Sequence, residues 1–387
     1  MITSHFNNIN HIIANEIDKA TKSIFIAMYF FTNKGLFEKI FRKAENGVKV
    51  SLIIYDHYIN LRKEGIQFQK LANLENADIY ISSKFNPIHD KFCIIDERTL
   101  ITGSYNWTKA AERYNEENIL LVSKDESEGT LEDKLINDYI NEFNKLVSKL
   151  EPQDKIRVYY KQEMDEVCGK EGREYLMLDL ICEAADLENK EEAQELAKEA
   201  FLLSEDNIKG QLLASKFDLF PRKRIEHSIG MRTADNEFLV LIPKGSYLPI
   251  ENVDETTTTS YDNQKECYCY VYYGEDAIAS NNKPMKADEK RKTFEEQKIN
   301  HLHTQIIGLP LRPQGEVNFR IKCIIDLNGR MTIIDKPINA DYLREEKQRN
   351  IITNHSGQKK DLGIIVKKTI TTVKKDLNEI DGMISEV

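Results

Sequence analysis

Apolar positions in the first 150 residues switch between two periods. From Asn8 to Ala20, Ile9, Ile12, Ile13 and Ile17 recur at helical spacing, which predicts an amphipathic helix. Ser23 to Phe31 is a continuous apolar run, the pattern of a strand buried on both faces. Gly35 to Glu45 returns to the helical period, with Leu36, Ile40 and Phe41 on one face, and Val48 to Tyr55 reads as a second buried strand. A third helix is expected from Asn60 to Asn73. Short strands follow over Ala77 to Ile81, Phe92 to Asp96, Leu100 to Gly103 and Asn118 to Val122, before a long closing helix from Leu131 to Leu150. Strands alternating with helices predict an α/β layer fold around a largely parallel or mixed sheet.

The pattern changes twice more. Residues 151–226 show helical periodicity over Glu174 to Leu187 and Glu191 to Leu203, with Leu196, Ala197, Ala200 and Phe201 in one stripe. They are expected to form a helical connector. Residues 227–338 become all β, with turn signals at Thr233 to Asn236, Lys244-Gly245, Asp262-Asn263, Asn281-Asn282 and Leu327-Asn328-Gly329. That punctuation predicts an antiparallel β-sandwich, interrupted by a charged insertion from Ala287 to Lys298. Residues 339–387 are polar and rich in lysine and are expected to be a helical or flexible tail. The fold class is therefore multidomain, α/β plus all-β.

Composition narrows the partners. A chain of 387 residues suits two or three domains. With a net charge of −10 it does not grip nucleic acid over its whole surface. Residues 1–150 are nevertheless near neutral, with 21 acidic and 19 basic side chains, which leaves room for a basic cleft. The apolar run Ile24 to Phe31 is too short to span a bilayer and lies too far in for a leader. No membrane association and a cytoplasmic location are expected. Six cysteines without a CxxC pair suggest reduced thiols packed as small apolar groups. His301 and His303 form an HxH pair that is expected to be a solvated loop rather than a metal site.

One segment concentrates chemistry. Ile88 to Thr108 reads IHDKFCIIDERTLITGSYNWT and holds His89, Lys91, Asp96, Gly103, Ser104 and Asn106; Glu117 follows in NEENILLV. In an extended segment His89 and Lys91 project from the same sheet face. A neutral imidazole can attack phosphorus and form a phosphohistidine. Lys91 would neutralise charge that grows on the phosphate oxygens, and Asn106 and Ser104 would add hydrogen-bond donors. Glu117 could hold the imidazole N–H and fix its tautomer. The chain offers no compact Asp/His/Glu cluster at metal-ligand spacing, so neither a metal nor a cofactor is expected.

These residues are similar to the small single-motif nucleases of the phospholipase D superfamily, over about the first 150 residues. The resemblance implies that His89, Lys91, Ser104, Asn106 and Glu117 are catalytic and that Asp96 is more a structural partner than a reacting group. It also implies a second H-x-K motif to protonate the leaving oxygen. None of His5, His11, His57, His227, His301, His303 or His355 is followed two residues later by lysine. The resemblance therefore implies a homodimer through residues 1–150 that brings two copies of His89 together.

The runs His227 to Pro249, Thr256 to Gln264, Val271 to Asn282 and Ile306 to Ile333 resemble the substrate-binding β-sandwich of seventy-kilodalton heat-shock (DnaK-type) chaperones. That resemblance implies an extended peptide or unfolded-protein ligand near Met231, Ala234, Ser260 and Cys267, without the family's nucleotide-binding domain. The expected function is a metal-independent phosphodiesterase, an endonuclease on nucleic acid, coupled to a protein-binding module and suited to anti-phage defence. The alternatives are a phospholipase or phosphatidyl transferase, and a peptide-binding adaptor whose first domain only dimerises it.

Overall fold

The computed structural model describes residues 1–124, 129–204, 207–252, 255–286, 301–307, 309, 311–337 and 372–386. The chain divides into two units, Met1–Ala214 and Ser215–Val387.

The first unit is built on a seven-stranded sheet: β1 Ile2–His5, β2 Ser23–Met28, β3 Lys49–Tyr55, β4 Ala77–Ser82, β5 Lys91–Ile95, β6 Thr99–Gly103 and β7 Ile119–Ser123, in the order β1-β7-β6-β5-β2-β3-β4. The pairs β2–β3 and β3–β4 are parallel and the others antiparallel, so the sheet is mixed. Both faces are covered, which is why β2 and β3 read as unbroken apolar runs. Ile24, Ile26 and Met28 face the helices Ile9–Lys19 and Lys34–Glu45 through Ile13, Ile17, Leu36 and Ile40. Ala27 and Phe25 face the helix Leu131–Val147 through Ile136 and Phe143. Each fully buried isoleucine or leucine here stabilises the unit by about 1.5–3 kcal/mol.

Three expectations change in this unit. Edge strand β1 has no apolar signature and is held by pairing to β7. The helix expected over Asn60 to Asn73 is broken into Tyr58–Leu61 and Gln69–Ala72. Between them Leu61 accepts from the Tyr159 N–H at 2.8 Å and the Lys63 N–H donates to Tyr159 at 2.9 Å, so tertiary pairing replaces the helical ladder. Finally, the segment expected as a connector packs onto the α/β core. Helix Gly169–Ala184 buries Leu176, Met177, Leu178, Ile181 and Cys182, too broad an apolar surface for a free spacer.

The second unit is sheet-rich. One antiparallel sheet contains Ile229–Arg232, Phe238–Ile242, Glu266–Tyr273, Lys283–Pro284 and His303–Ile307; another contains Ile250–Glu251, Glu255–Thr258, Asn318–Ile325, Arg330–Pro337 and Thr372–Asp376. Met231 and Val271 of the first and Ile321, Cys323, Met331 and Ile333 of the second enter one apolar core. The turn at residues 326–329 forms as its sequence predicts: Asp326 Oδ1 accepts from the Asn328 and Arg330 N–H groups, and Gly329 takes φ +79°. The end of the expected tail is not free-standing. Thr372–Asp376 pairs with Arg330–Ile334, and Ile384–Glu386 pairs with Lys223–Ile225. The insertion Ala287 to Lys298 and residues 338–371 lie outside the described residues. Among the described residues no helix is long and apolar enough to cross a membrane.

Candidate active site

Register alone gathers the motif. Met28 of β2 pairs with Lys91 of β5, Phe92 with Thr102 of β6, and Gly103 with Ile119 of β7. Antiparallel neighbours thus bring the end of β2, the start of β5, the end of β6 and the start of β7 to one end of the sheet. His89, Lys91, Ser104, Asn106 and Glu117 all sit on or beside those four ends.

His89 is exposed, in extended chain just before β5. Its ring centroid lies 4.6 Å from that of Tyr29, which the Tyr29 N–H to Asp90 carbonyl bond of 3.0 Å holds alongside. The Lys91 ammonium lies 3.4 Å from Nδ1 and 3.5 Å from Nε2 of His89, donates to the His89 carbonyl at 2.9 Å and sits 5.4 Å from the Tyr29 ring centroid. Burial, and then the neighbouring Lys91 charge, hold the His89 imidazole below its ordinary pKa, against the opposing pull of Asp90. Lys91 is itself lowered by burial, with Glu117 and Asp90 pulling the other way. The imidazole is therefore favoured in its neutral, nucleophilic form beside a cation.

The rest of the motif is fixed by the β6–β7 approach. A Cβ on Gly103 would lie 2.1 Å from the Asn118 carbonyl oxygen, so only glycine lets the strands close here. That closeness orients Ser104, whose hydroxyl donates to Glu117 Oε2 and accepts from the Asn118 N–H at 3.1 Å. Asn115 donates to the other Glu117 oxygen at 3.1 Å. Glu117, two residues before β7, thus bonds Ser104 and Asn115 rather than the His89 ring that the sequence suggested. Its charge is still felt by Lys91. Asn106 accepts from the Phe30 N–H at 3.3 Å through Oδ1, which turns its amide nitrogen away from β2.

Asp96 is not in this cluster. It lies past the opposite end of β5, at φ +52°, and accepts from the N–H groups of Thr21, Lys22 and Ser23 and from the Thr21 hydroxyl. Burial alone would raise its carboxyl, and those four donors outweigh it and lower the pKa. Its place is the turn that feeds β2, which corrects its inclusion with the catalytic group.

Three residues that the pattern did not single out support the site. Tyr29 looked like the end of a core strand. Tyr175, beyond the motif, shares a 2.7 Å hydroxyl contact with Thr108. Asp179, 1% exposed, accepts from the Thr32 hydroxyl at 2.7 Å and the Ala110 N–H at 2.9 Å. These contacts fasten helix Gly169–Ala184 to the two segments that carry Phe30 and Asn106. Nothing in local sequence marks them, because the partners are distant in the chain.

In the second unit the four residues expected at a peptide groove are in different environments. Met231 is 2% exposed and belongs to the core, since strand alternation turns it inward; it does not line an open groove. Ala234 is exposed in the turn after Ile229–Arg232, and Ser260 is exposed with its N–H bonded to Gln264. Cys267 is half-buried, its Sγ 3.7 Å from that of Cys269. His303 is buried in a strand and His301 Nε2 donates to the Val271 carbonyl at 2.9 Å, so the HxH pair is not a solvated loop. Among the described residues no group of histidine, cysteine and carboxylate side chains is arranged to hold a metal.

With this geometry in hand, residues 13–147 match the family described as "Cardiolipin synthase, PLD-like domain". The chain is 34% identical over 116 residues to a phospholipase D of Rickettsia conorii, an alignment covering 30% of this chain and 56% of the relative. It is 31% identical over 109 residues to the mitochondrial cardiolipin hydrolase of Homo sapiens, covering 28% and 41%. The chain spans about half the length of the curated relatives it matches. Among solved structures, Nuc from Salmonella typhimurium, a phospholipase D family member, aligns with 24% identity and a TM-score of 0.35, over 40% of this chain and 99% of its own. The N-terminal part of the chain carries a PLD-like domain.

Proposed function

We propose that this PLD-like domain is a metal-independent phosphodiesterase acting on nucleic acid as an endonuclease, with His89 as nucleophile. The observation that carries the reading is the convergence of His89, Lys91, Ser104, Asn106 and Glu117 at one end of the sheet. In the proposed reaction a neutral His89 nitrogen attacks phosphorus, forming an N–P bond as the P–O bond to the leaving oxygen breaks. A second imidazole, the partner's His89, protonates that oxygen. Water, deprotonated by the same group, then cleaves the N–P bond and restores His89. Lys91 and the Asn106 amide meet the charge that grows on the non-bridging oxygens. Glu117, held by Ser104 and Asn115, supports the Lys91 ammonium from the other side.

Relatives named phospholipase D and cardiolipin hydrolase favour a second reading, a lipid diester as substrate. For the second unit, the paired antiparallel sheets around one core suit a chaperone-like sandwich that binds extended peptide, with Ala234, Ser260 and Cys267 remaining as groove residues. A nuclease joined to such a sensor would suit controlled toxicity in anti-phage defence. One experiment separates the substrate readings. Purified protein and His89→Ala are incubated with single- and double-stranded DNA, RNA and a phosphatidylglycerol, each with and without EDTA. Cleavage of nucleic acid that survives EDTA and vanishes in His89→Ala supports the proposal. Loss on chelation, restored by a divalent ion, overturns the mechanism, and cleavage of the lipid alone moves the assignment to the second reading.

A further inference from the structure

Bordering Tyr29 is a cleft of about 590 Å³ walled by Phe30, His57 and Tyr175, with Lys170, Glu171 and Gly172 of helix Gly169–Ala184 on its remaining side, so the rim carries one charge of each sign. Its rings form a continuous aromatic run: Phe30 lies 4.1 Å from Tyr29, 5.3 Å from His57 and 5.2 Å from Tyr175 between centroids. Tyr29 also contacts His89, so one side chain separates the cleft from the reacting group. The helical wall lies outside the PLD-like residues 13–147. Where that wall meets His57 the residue is Gly172; a Cβ there would lie 3.2 Å from the His57 ring and 2.9 Å from Cys168 Sγ.

His57 gives the cleft a polar feature. Burial lowers its pKa to about 4, against Asp56, so the ring is neutral. Its Nδ1 accepts from the Ile59 N–H at 3.2 Å, which assigns the proton to Nε2. That nitrogen has no hydrogen-bond partner among the described residues.

We propose that this cleft is a base-binding subsite, holding the nucleobase next to the scissile phosphodiester of a single-stranded nucleic acid. The inference rests on the phosphodiesterase reading of the His89 site. Aromatic faces stack any base without regard to sequence. The Nε2–H of His57 can donate to an acceptor on the base edge, and Lys170 at the rim can meet a flanking phosphate. A paired base cannot enter unless it leaves its stack, which selects single strands. An acyl chain would leave the buried imidazole N–H unmatched.

The test compares thymidine 5′-p-nitrophenyl phosphate with methyl p-nitrophenyl phosphate, which share the reacting group and differ by the nucleoside. Lys170 is exposed and outside the His89 machinery, so Lys170→Trp narrows the cleft mouth without touching the chemistry. The full chain should prefer the thymidine ester by about tenfold or more, the worth of one stacked base. Lys170→Trp should lower kcat/KM for that ester by about tenfold and leave the methyl ester unchanged. Equal effects on both esters, or none on either, would overturn the subsite. So would loss confined to dihexanoyl phosphatidylglycerol, which would assign the cleft to lipid. Calorimetric binding of thymidine 3′,5′-bisphosphate to the His89→Ala protein, with and without Lys170→Trp, reads the cleft apart from chemistry. If no diester is cleaved, the phosphodiesterase reading fails, while weakened binding in Lys170→Trp still supports the subsite and absent binding overturns it.

Discussion

At the scale of single residues, chemistry was legible where function demands a residue type and illegible where only geometry matters. His89, Lys91, Ser104, Asn106 and Glu117 were readable because their spacing matches strand ends that pair. What Glu117 bonds was not readable, since that depends on how closely Gly103 lets β6 approach β7. The His89–Lys91 contact makes a titration prediction. Burial and then Lys91 lower the His89 pKa. Removing the charge in Lys91→Met should raise it, so the ring protonates at higher pH and the acid limb of any remaining activity moves toward neutrality. NMR titration of the ring, assigned by the resonance lost in His89→Ala, measures this; an unchanged or lower pKa would contradict the assigned neighbour. Asp96 makes the opposite kind of prediction. Its carboxylate satisfies backbone donors at the β2 entry, so Asp96→Asn should cost about 1–2 kcal/mol of stability in urea while kcat per folded molecule is kept. Because the folded pKa is depressed, that stabilisation is present above the ordinary carboxyl range and is lost as pH falls through the lowered value. Wild type and variant should therefore converge in acid.

At the scale of elements, the two periods identified the strands and long helices of the first unit, because burial on the two faces imposes them. The pattern failed over Asn60 to Asn73, where pairing to Tyr159 overrides helix propensity, and at β1, whose partner is more than a hundred residues away. It also missed what helix Gly169–Ala184 does. Asp179 is fully buried and raised by that burial, with Arg62 and the donors Thr32 and Ala110 opposing the shift. Asp179→Ala would strand both donors in an apolar interface and should destabilise the first unit by about 3 kcal/mol. Asp179→Asn should cost less, since the Thr32 hydroxyl can rotate to accept from the amide. The raised pKa means ionised Asp179 opposes folding as pH rises from the ordinary carboxyl value through the native one, so Asn should gain on wild type with rising pH. Urea unfolding of both variants across pH checks the order; equal stability of Ala and wild type would show that the helix is not held this way.

At the scale of the molecule, changes of pattern divide the sequence after residues 150, 226 and 338, while the structure forms two units that part after Ala214. The difference arises because helices were assigned by pattern and not by what they pack against. The remaining question at this scale is where the second imidazole comes from. Within one chain His57 also joins this aromatic run, 5.3 Å from Phe30, but its pKa of about 4 leaves it unprotonated at neutral pH and unsuited to serve as the acid. His89 of the lone H-x-K pair is exposed at one end of the sheet, where a second copy related by a two-fold axis can present its own His89. If both imidazoles are needed at each site, a dimer with one His89→Ala chain lacks an acid or a nucleophile in every site. Wild type and His89→Ala protein mixed in equal amounts and allowed to exchange should then retain about a quarter of the activity of the same total amount of wild type, since only wild-type pairs work. Independent active chains would retain about half. Light scattering on the same samples should report a dimer, and a fully active monomer would remove the two-fold site altogether.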